Sequence, residues 1–134
     1  MTAELTILLL LALFASSLWI PYIIGVNTTS FEGQDESFVR PPDHRNMEPW
    51  VHRAFRAHQN LLEQSMPFAI VVLIGHLAGV SNAVTVWCAV AFLALRVAHA
   101  IGMITAWTRL PARPLIFTAG WIITMIYGVQ LLLA

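Results

Sequence analysis

The chain has 134 residues, of which 58% are hydrophobic and 10% charged, with a formal net charge of zero. A soluble domain carries about a quarter of its residues as charged ones, and a globule this small has no interior large enough for so much apolar surface, so the composition excludes a water-soluble domain. All seven basic residues are arginines spread along the chain, with no stripe to track a phosphate backbone, which argues against nucleic acid as a partner; the single cysteine, Cys88, cannot form an internal disulfide.

In chain order, residues 1–26 hold one charge, Glu4, and predict a first spanning helix over 4–26, since a span needs about 20 mostly apolar residues. A cleaved signal peptide would carry Lys or Arg ahead of the apolar run, and Glu4 is the only early charge. Residues 27–49 are polar, rich in Ser, Thr, Asp and Glu with a Pro41-Pro42 pair, and read as a surface loop. Residues 64–95 hold no charge at all, and Gly79-Val80-Ser81-Asn82 divides this stretch: a glycine stops one helix and a Ser-Asn pair caps the next. Helices are therefore expected at 50–79 and 83–107, and the uncharged C-terminal run adds one at 114–133. The reading is all-α, one domain over 1–134, an integral membrane four-helix bundle of the left-handed kind.

Arginine counts set the expected orientation. The 27–56 region holds Arg40, Arg45, Arg53 and Arg56, the 108–113 connection holds Arg109 and Arg113, and the two termini and the 79–83 turn hold none. Both Arg-bearing connections, including the 27–49 loop, are expected in the cytoplasm and both termini on the other side. Trp19, Tyr22, Trp50 and Trp107 then fall near the cytoplasmic interface. The short chain without a C-terminal basic retention tail points to a bacterial inner membrane.

Some residues are costly to place in a membrane. Arg53, Arg56, Asn60, Glu63 and Pro67 follow steps of three and four, which at about 100° per residue puts them within an arc of about 80°. The two arginines could be interfacial anchors whose heads reach the lipid headgroups. Glu63 lies more than two turns inside the helix, where insertion scales put a charge at roughly 2.5–3.5 kcal/mol. A polar network between helices and a ligand site both remain open for this face. Pro67 removes the hydrogen bond to the carbonyl of Glu63, predicting a kink or a freed acceptor. On the third helix Arg96 and His99 share a side with Met103 and Trp107. Arg96 must lie deep, and Glu63 is its expected ion-pair partner. His99 reads as a hydrogen-bonded bundle residue, and Gly75 and Gly79 as a small-residue pair for close helix approach.

With these residues in view, the chain resembles the MAPEG family, the membrane-associated proteins in eicosanoid and glutathione metabolism. Arg53-Ala54-Phe55-Arg56-Ala57-His58-Gln59-Asn60-Leu61-Leu62-Glu63 followed by Pro67-Phe68 is similar to the family's second-helix pattern. Arg96-Val97-Ala98-His99 resembles its third-helix signature, and Arg109, Pro111 and Arg113 its basic turn before the fourth helix. The resemblance implies a homotrimer with sites between subunits near the cytoplasmic face, where several members bind glutathione and activate its thiol. Carried over by position, Arg53, Arg56, Asn60, Glu63, Arg96 and His99 would bind the tripeptide, and Arg113 would be the catalytic residue beside the thiol. An arginine there favours the thiolate, and the peptide's carboxylates and ammonium want Arg forks and a carboxylate such as Glu63.

The chain departs from the glutathione-using pattern at four positions: Gln59 stands for an Arg, Met103 and Phe117 for tyrosines, and Pro114 where a Ser is sometimes found. Two functions follow from the resemblance. The first is a glutathione-dependent transferase or peroxidase acting on apolar electrophiles dissolved in the bilayer. The second is a non-catalytic lipid-binding or structural trimer, for which the family has a precedent in the arachidonate-lipoxygenase-activating protein. No metal is expected in either.

Overall fold

The computed structural model describes residues 1–30, 43–107 and 111–134. Arg40 and Arg109, two of the arginines that set the expected orientation, lie outside the described residues, as does most of the expected 27–49 loop. Among the described residues all regular structure is helical: α1 (Ala3–Ser17), α2 (Ile20–Thr28), a short 3-10 turn (His44–Asn46), α3 (Pro49–Leu77), α4 (Ala83–Ile104) and α5 (Ala112–Leu132). They make four stretches long and apolar enough to cross a membrane, with α1 and α2 together forming the first, Ala3–Thr28. This is an integral, multi-pass membrane protein.

The first span is not the continuous helix expected over 4–26. It breaks at Leu18–Trp19 because Pro21 has no N–H to offer the carbonyl of Ser17 and its ring crowds that carbonyl. The Leu18 N–H closes α1 on the carbonyls of Phe14 and Ala15 at 3.0 and 3.4 Å, and α2 restarts with Ile23 N–H donating to Trp19. Pro67, by contrast, is carried inside α3 without interrupting the helix.

The division between α3 and α4 falls where expected. Gly79 takes φ 70°, the left-handed conformation that ends a helix at least cost to glycine. The Val80 N–H reaches back to the Gly75 carbonyl at 2.9 Å. Asn82 then caps α4: its Oδ1 accepts from the N–H groups of Val84 and Thr85, and Thr85 Oγ1 accepts from the Asn82 N–H. Gly79 is thus a cap rather than a packing residue. Gly75 is the packing residue, since a Cβ there would stand 3.0 Å from Leu131 and 3.2 Å from Tyr127. At its other end α4 stops at Ile104, three residues before the expected 107. Ala106 there has φ 59°, a left-handed conformation that a side chain disfavours.

The core lies where α3, α4 and α5 meet, with α1 against α3 and α4. Phe68 and Phe92 stack at 3.9 Å between centroids, and Tyr127 meets the Phe68 ring edge-on at 6.0 Å. Ala54, Ala57, Ala89 and Ala100 are buried and let the helix backbones approach. Leu9, Leu13, Ile70, Trp87, Trp121 and Met125 point outward, an apolar exterior suited to lipid.

Candidate functional site

The candidate residues gather at one end of the bundle, on the first half of α3, the second half of α4 and the start of α5. On α3 they straddle the edge of the buried face. Asn60 is buried together with Ala57, Leu61 and Gln64, whereas Arg56, Glu63 and Pro67 are exposed and Arg53 is half-buried. The reason is angular. Taking Arg53 as zero, Glu63, Arg56 and Pro67 fall at about 280°, 300° and 320°, and Asn60 at about 340°. The boundary between core and exterior runs between the last two.

Each side chain has a distinct setting. Arg53 Nε donates to the Ile104 carbonyl at 3.2 Å. This is one of the last carbonyls of α4, where the helix lacks its own donors and its dipole favours a cation. Arg56 Nη1 donates to Gln59 Oε1 at 3.3 Å. Asn60 Nδ2 donates to the Arg56 carbonyl at 2.8 Å and lies 3.6 Å from the sulfur of Met103. His99 is buried, its ring 6.2 Å from that of Phe117. Arg113 is exposed in the first turn of α5.

Arg96 is the largest fully buried side chain, and it does not form the expected ion pair with Glu63. Glu63 lies on the outside of α3, on the far side of the burial boundary from Arg96. The guanidinium instead donates from Nη2 to the Ile116 carbonyl at 2.9 Å, and Nε and Nη1 have no partner among the described residues. It lies between two rings, 5.5 Å from the Phe92 centroid and 5.8 Å from that of Phe117, which offers it cation–π stabilisation. The residue turned toward it from α3 is Gln64, one position and about 100° beyond Glu63. Gln64 Nε2 donates to the Phe117 carbonyl at 3.4 Å, and its Oε1 has no partner among the described residues.

Gly120 makes this arrangement possible. A Cβ on it would stand 2.6 Å from Arg96 Nη2 and 2.8 Å from Gln64 Oε1. Both Gln64 and Gly120 escaped the sequence reading. The available signal for Gln64 was its spacing of four from Asn60, which puts it on the same buried face. The structure therefore buries Asn60, Arg96 and His99 inside the bundle and leaves Arg56, Glu63 and Arg113 on its exterior. Two of the four departures also turn inward, Met103 against Asn60 and Phe117 over Arg96.

The model of the MAPEG family matches residues 6–133. The chain belongs to the MAPEG family. No curated protein matches it at a significant level. Membership sets this MAPEG protein among membrane proteins of glutathione and eicosanoid metabolism, and the match covers all four spans. The second-helix string from Arg53 to Phe68 and the Arg96–His99 pair thus lie inside the matched region.

Proposed function

We propose that this MAPEG protein is a glutathione-dependent transferase or peroxidase that acts on apolar electrophiles dissolved in the bilayer. It would work as a homotrimer, with its site between subunits at the cytoplasmic side and both termini on the opposite side, in a bacterial inner membrane. The observation that carries the reading is the set of exposed charges at one end of the bundle. Arg56 has only Gln59 for a partner, and Glu63 and Arg113 have none among the described residues. Charges left unpaired on an otherwise apolar exterior are expensive unless a ligand or a neighbouring subunit meets them.

The chemistry of these groups fits glutathione. Arg56, with Arg53 beside it, offers planar donors for the peptide's carboxylates, and Glu63 offers an acceptor for its ammonium. Asn60, Arg96 and His99 act from the layer beneath, Arg96 as a fixed positive charge without a carboxylate of its own. Arg113 stands in the first turn of α5, where the helix dipole disfavours a cation by roughly 0.3–1 kcal/mol. That cost is repaid when an anion such as a thiolate sits there, since dipole and guanidinium then favour it together. The thiolate is the nucleophile that would attack an electrophile arriving from the bilayer.

The inward packing of Met103 and Phe117 favours a second reading, a non-catalytic lipid-binding or structural trimer. Thermal unfolding of the detergent-purified protein with millimolar glutathione separates the two. A ligand at 100 times its dissociation constant adds about 2.7 kcal/mol, a clear rise in Tm. The enzyme reading expects that rise, and expects conjugation of 1-chloro-2,4-dinitrobenzene that Arg113→Ala abolishes with the oligomer intact. An unchanged Tm, or full turnover in Arg113→Ala, overturns it.

A further inference from the structure

The opposite end of the bundle holds a carboxylate that the proposed chemistry does not use. Glu4 is only 3% exposed although it stands in the first turn of α1. Its Oε1 accepts from Thr85 Oγ1 at 2.6 Å and Ser81 Oγ at 2.9 Å, which ties α1 to the start of α4. Those two bonds account for the residue as a staple between helices. They do not account for Oε2, which is buried without a hydrogen-bond partner among the described residues. A carboxylate has about four lone-pair sites, and leaving one oxygen unpaired out of water is costly.

Beside Glu4 lies a cleft of about 220 Å³, with Thr2, Val72, His76, Val80 and Tyr127 among its walls. At roughly 30 Å³ for each water this is room for about seven waters or one small organic group. His76 stands twenty residues beyond Arg56 on α3, about 30 Å along the helix, so the cleft is separate from the Arg-bearing end. Among the described residues no three metal-ligating side chains gather anywhere, which argues against a metal ion. Among the described residues no arginine lies near it to neutralise Glu4, and Arg96, eleven residues down α4 from Thr85, is roughly 16 Å away.

We propose that this cleft binds a primary ammonium group carried on an apolar body. An ammonium brings one positive charge and three N–H donors. One would meet Glu4 Oε2, and the others would meet lone pairs of the hydroxyls on Thr2 and Ser81. The apolar part would lie along Val72, Val80 and the ring of Tyr127. A quaternary ammonium has no N–H to give Oε2, so the chemistry selects a primary amine. Such a group comes either from the ethanolamine headgroup of a membrane lipid or from a free alkylamine. This site does not rest on the glutathione reading and stands if that reading fails.

The test uses the full-length protein in detergent. Hexylamine is titrated against thermal unfolding with hexanol as the uncharged control, and native mass spectrometry compares retention of phosphatidylethanolamine and phosphatidylcholine. Hexylamine is expected to raise Tm in a saturable way while hexanol does not, and Glu4→Gln is expected to lose the rise. Val80→Phe fills the cleft and keeps the carboxylate, so it is expected to weaken binding by about tenfold or more even if Glu4→Gln proves too unstable to purify. Preferential retention of phosphatidylethanolamine identifies a lipid as the source, and hexylamine binding without that preference identifies a free amine. Equal shifts with hexylamine and hexanol together with equal retention of the two lipids overturn the proposal, as does undiminished amine binding in Val80→Phe.

Discussion

Glu4 and Glu63 both sit in membrane-spanning helices, and the bundle treats them in opposite ways. Glu4 is buried and held by two hydroxyls from the α3–α4 turn and the start of α4. Glu63 is exposed on α3 and has no partner among the described residues. The same contrast separates the two ends. Around Glu4 the polar groups close on one another through short local bonds, with the Asn82 capping box adjoining them. Around Glu63 the chain buries an arginine with no carboxylate partner among the described residues and sends three further charges, Arg56, Glu63 and Arg113, to its exterior. One end holds helices together. The other leaves its charges on the exterior of the bundle.

Substitutions can break or sharpen this contrast. The largest effect is expected from Gly120→Val, which would drive a side chain into Arg96 and Gln64 and displace a buried guanidinium. Overpacking of this kind costs about 2–3 kcal/mol, seen as a large drop in Tm. Next is Thr85→Val, which removes a donor to Glu4 and a member of the capping box. Hydrogen bonds to charged groups are worth about 1.5–3 kcal/mol, so SDS or thermal denaturation should show a loss near 2 kcal/mol. Glu63→Gln should change stability by less than about 0.5 kcal/mol, because Glu63 is exposed and has no partner among the described residues. The same variant should lose any rise in Tm produced by glutathione. A destabilised Glu63→Gln with an unaffected Thr85→Val would reverse the assignment of roles to the two ends. The smallest effect is expected from Ala106→Gly, which relieves a left-handed residue and should stabilise by about 0.5–1 kcal/mol.

Much of the architecture was legible in the sequence because a membrane enforces it. Long, nearly uncharged apolar runs gave four spans, and Gly79 with Asn82 gave the stop and restart between α3 and α4. The break at Leu18–Trp19 was equally readable from Pro21, but an apolar run of the right length hid it. The partners of the charges were harder to read. Helical spacing located the arc that carries Arg56, Asn60 and Glu63, yet it could not say where along that arc the core begins. An error of one residue is a rotation of about 100°. That rotation is the difference between Glu63 facing outward and Gln64 facing Arg96. Glu4 passed as an unremarkable early charge because its partners, Ser81 and Thr85, lie some eighty residues away in the chain.

The interruption at Leu18–Trp19 has a mechanical consequence. α1 has 15 residues and is about 22 Å long, shorter than the roughly 30 Å of a bilayer's hydrocarbon, so α2 must complete the crossing. α2 is clamped to the start of α3 at Gly25, where a Cβ would stand 2.5 Å from Val51. α1 is anchored at the far end through Glu4. The first span is therefore a rod fixed at both ends with a joint in its second half. Where a straight helix meets a thinner or thicker bilayer by tilting, this one can bend at the joint, sparing the α3–α4–α5 core from following the membrane.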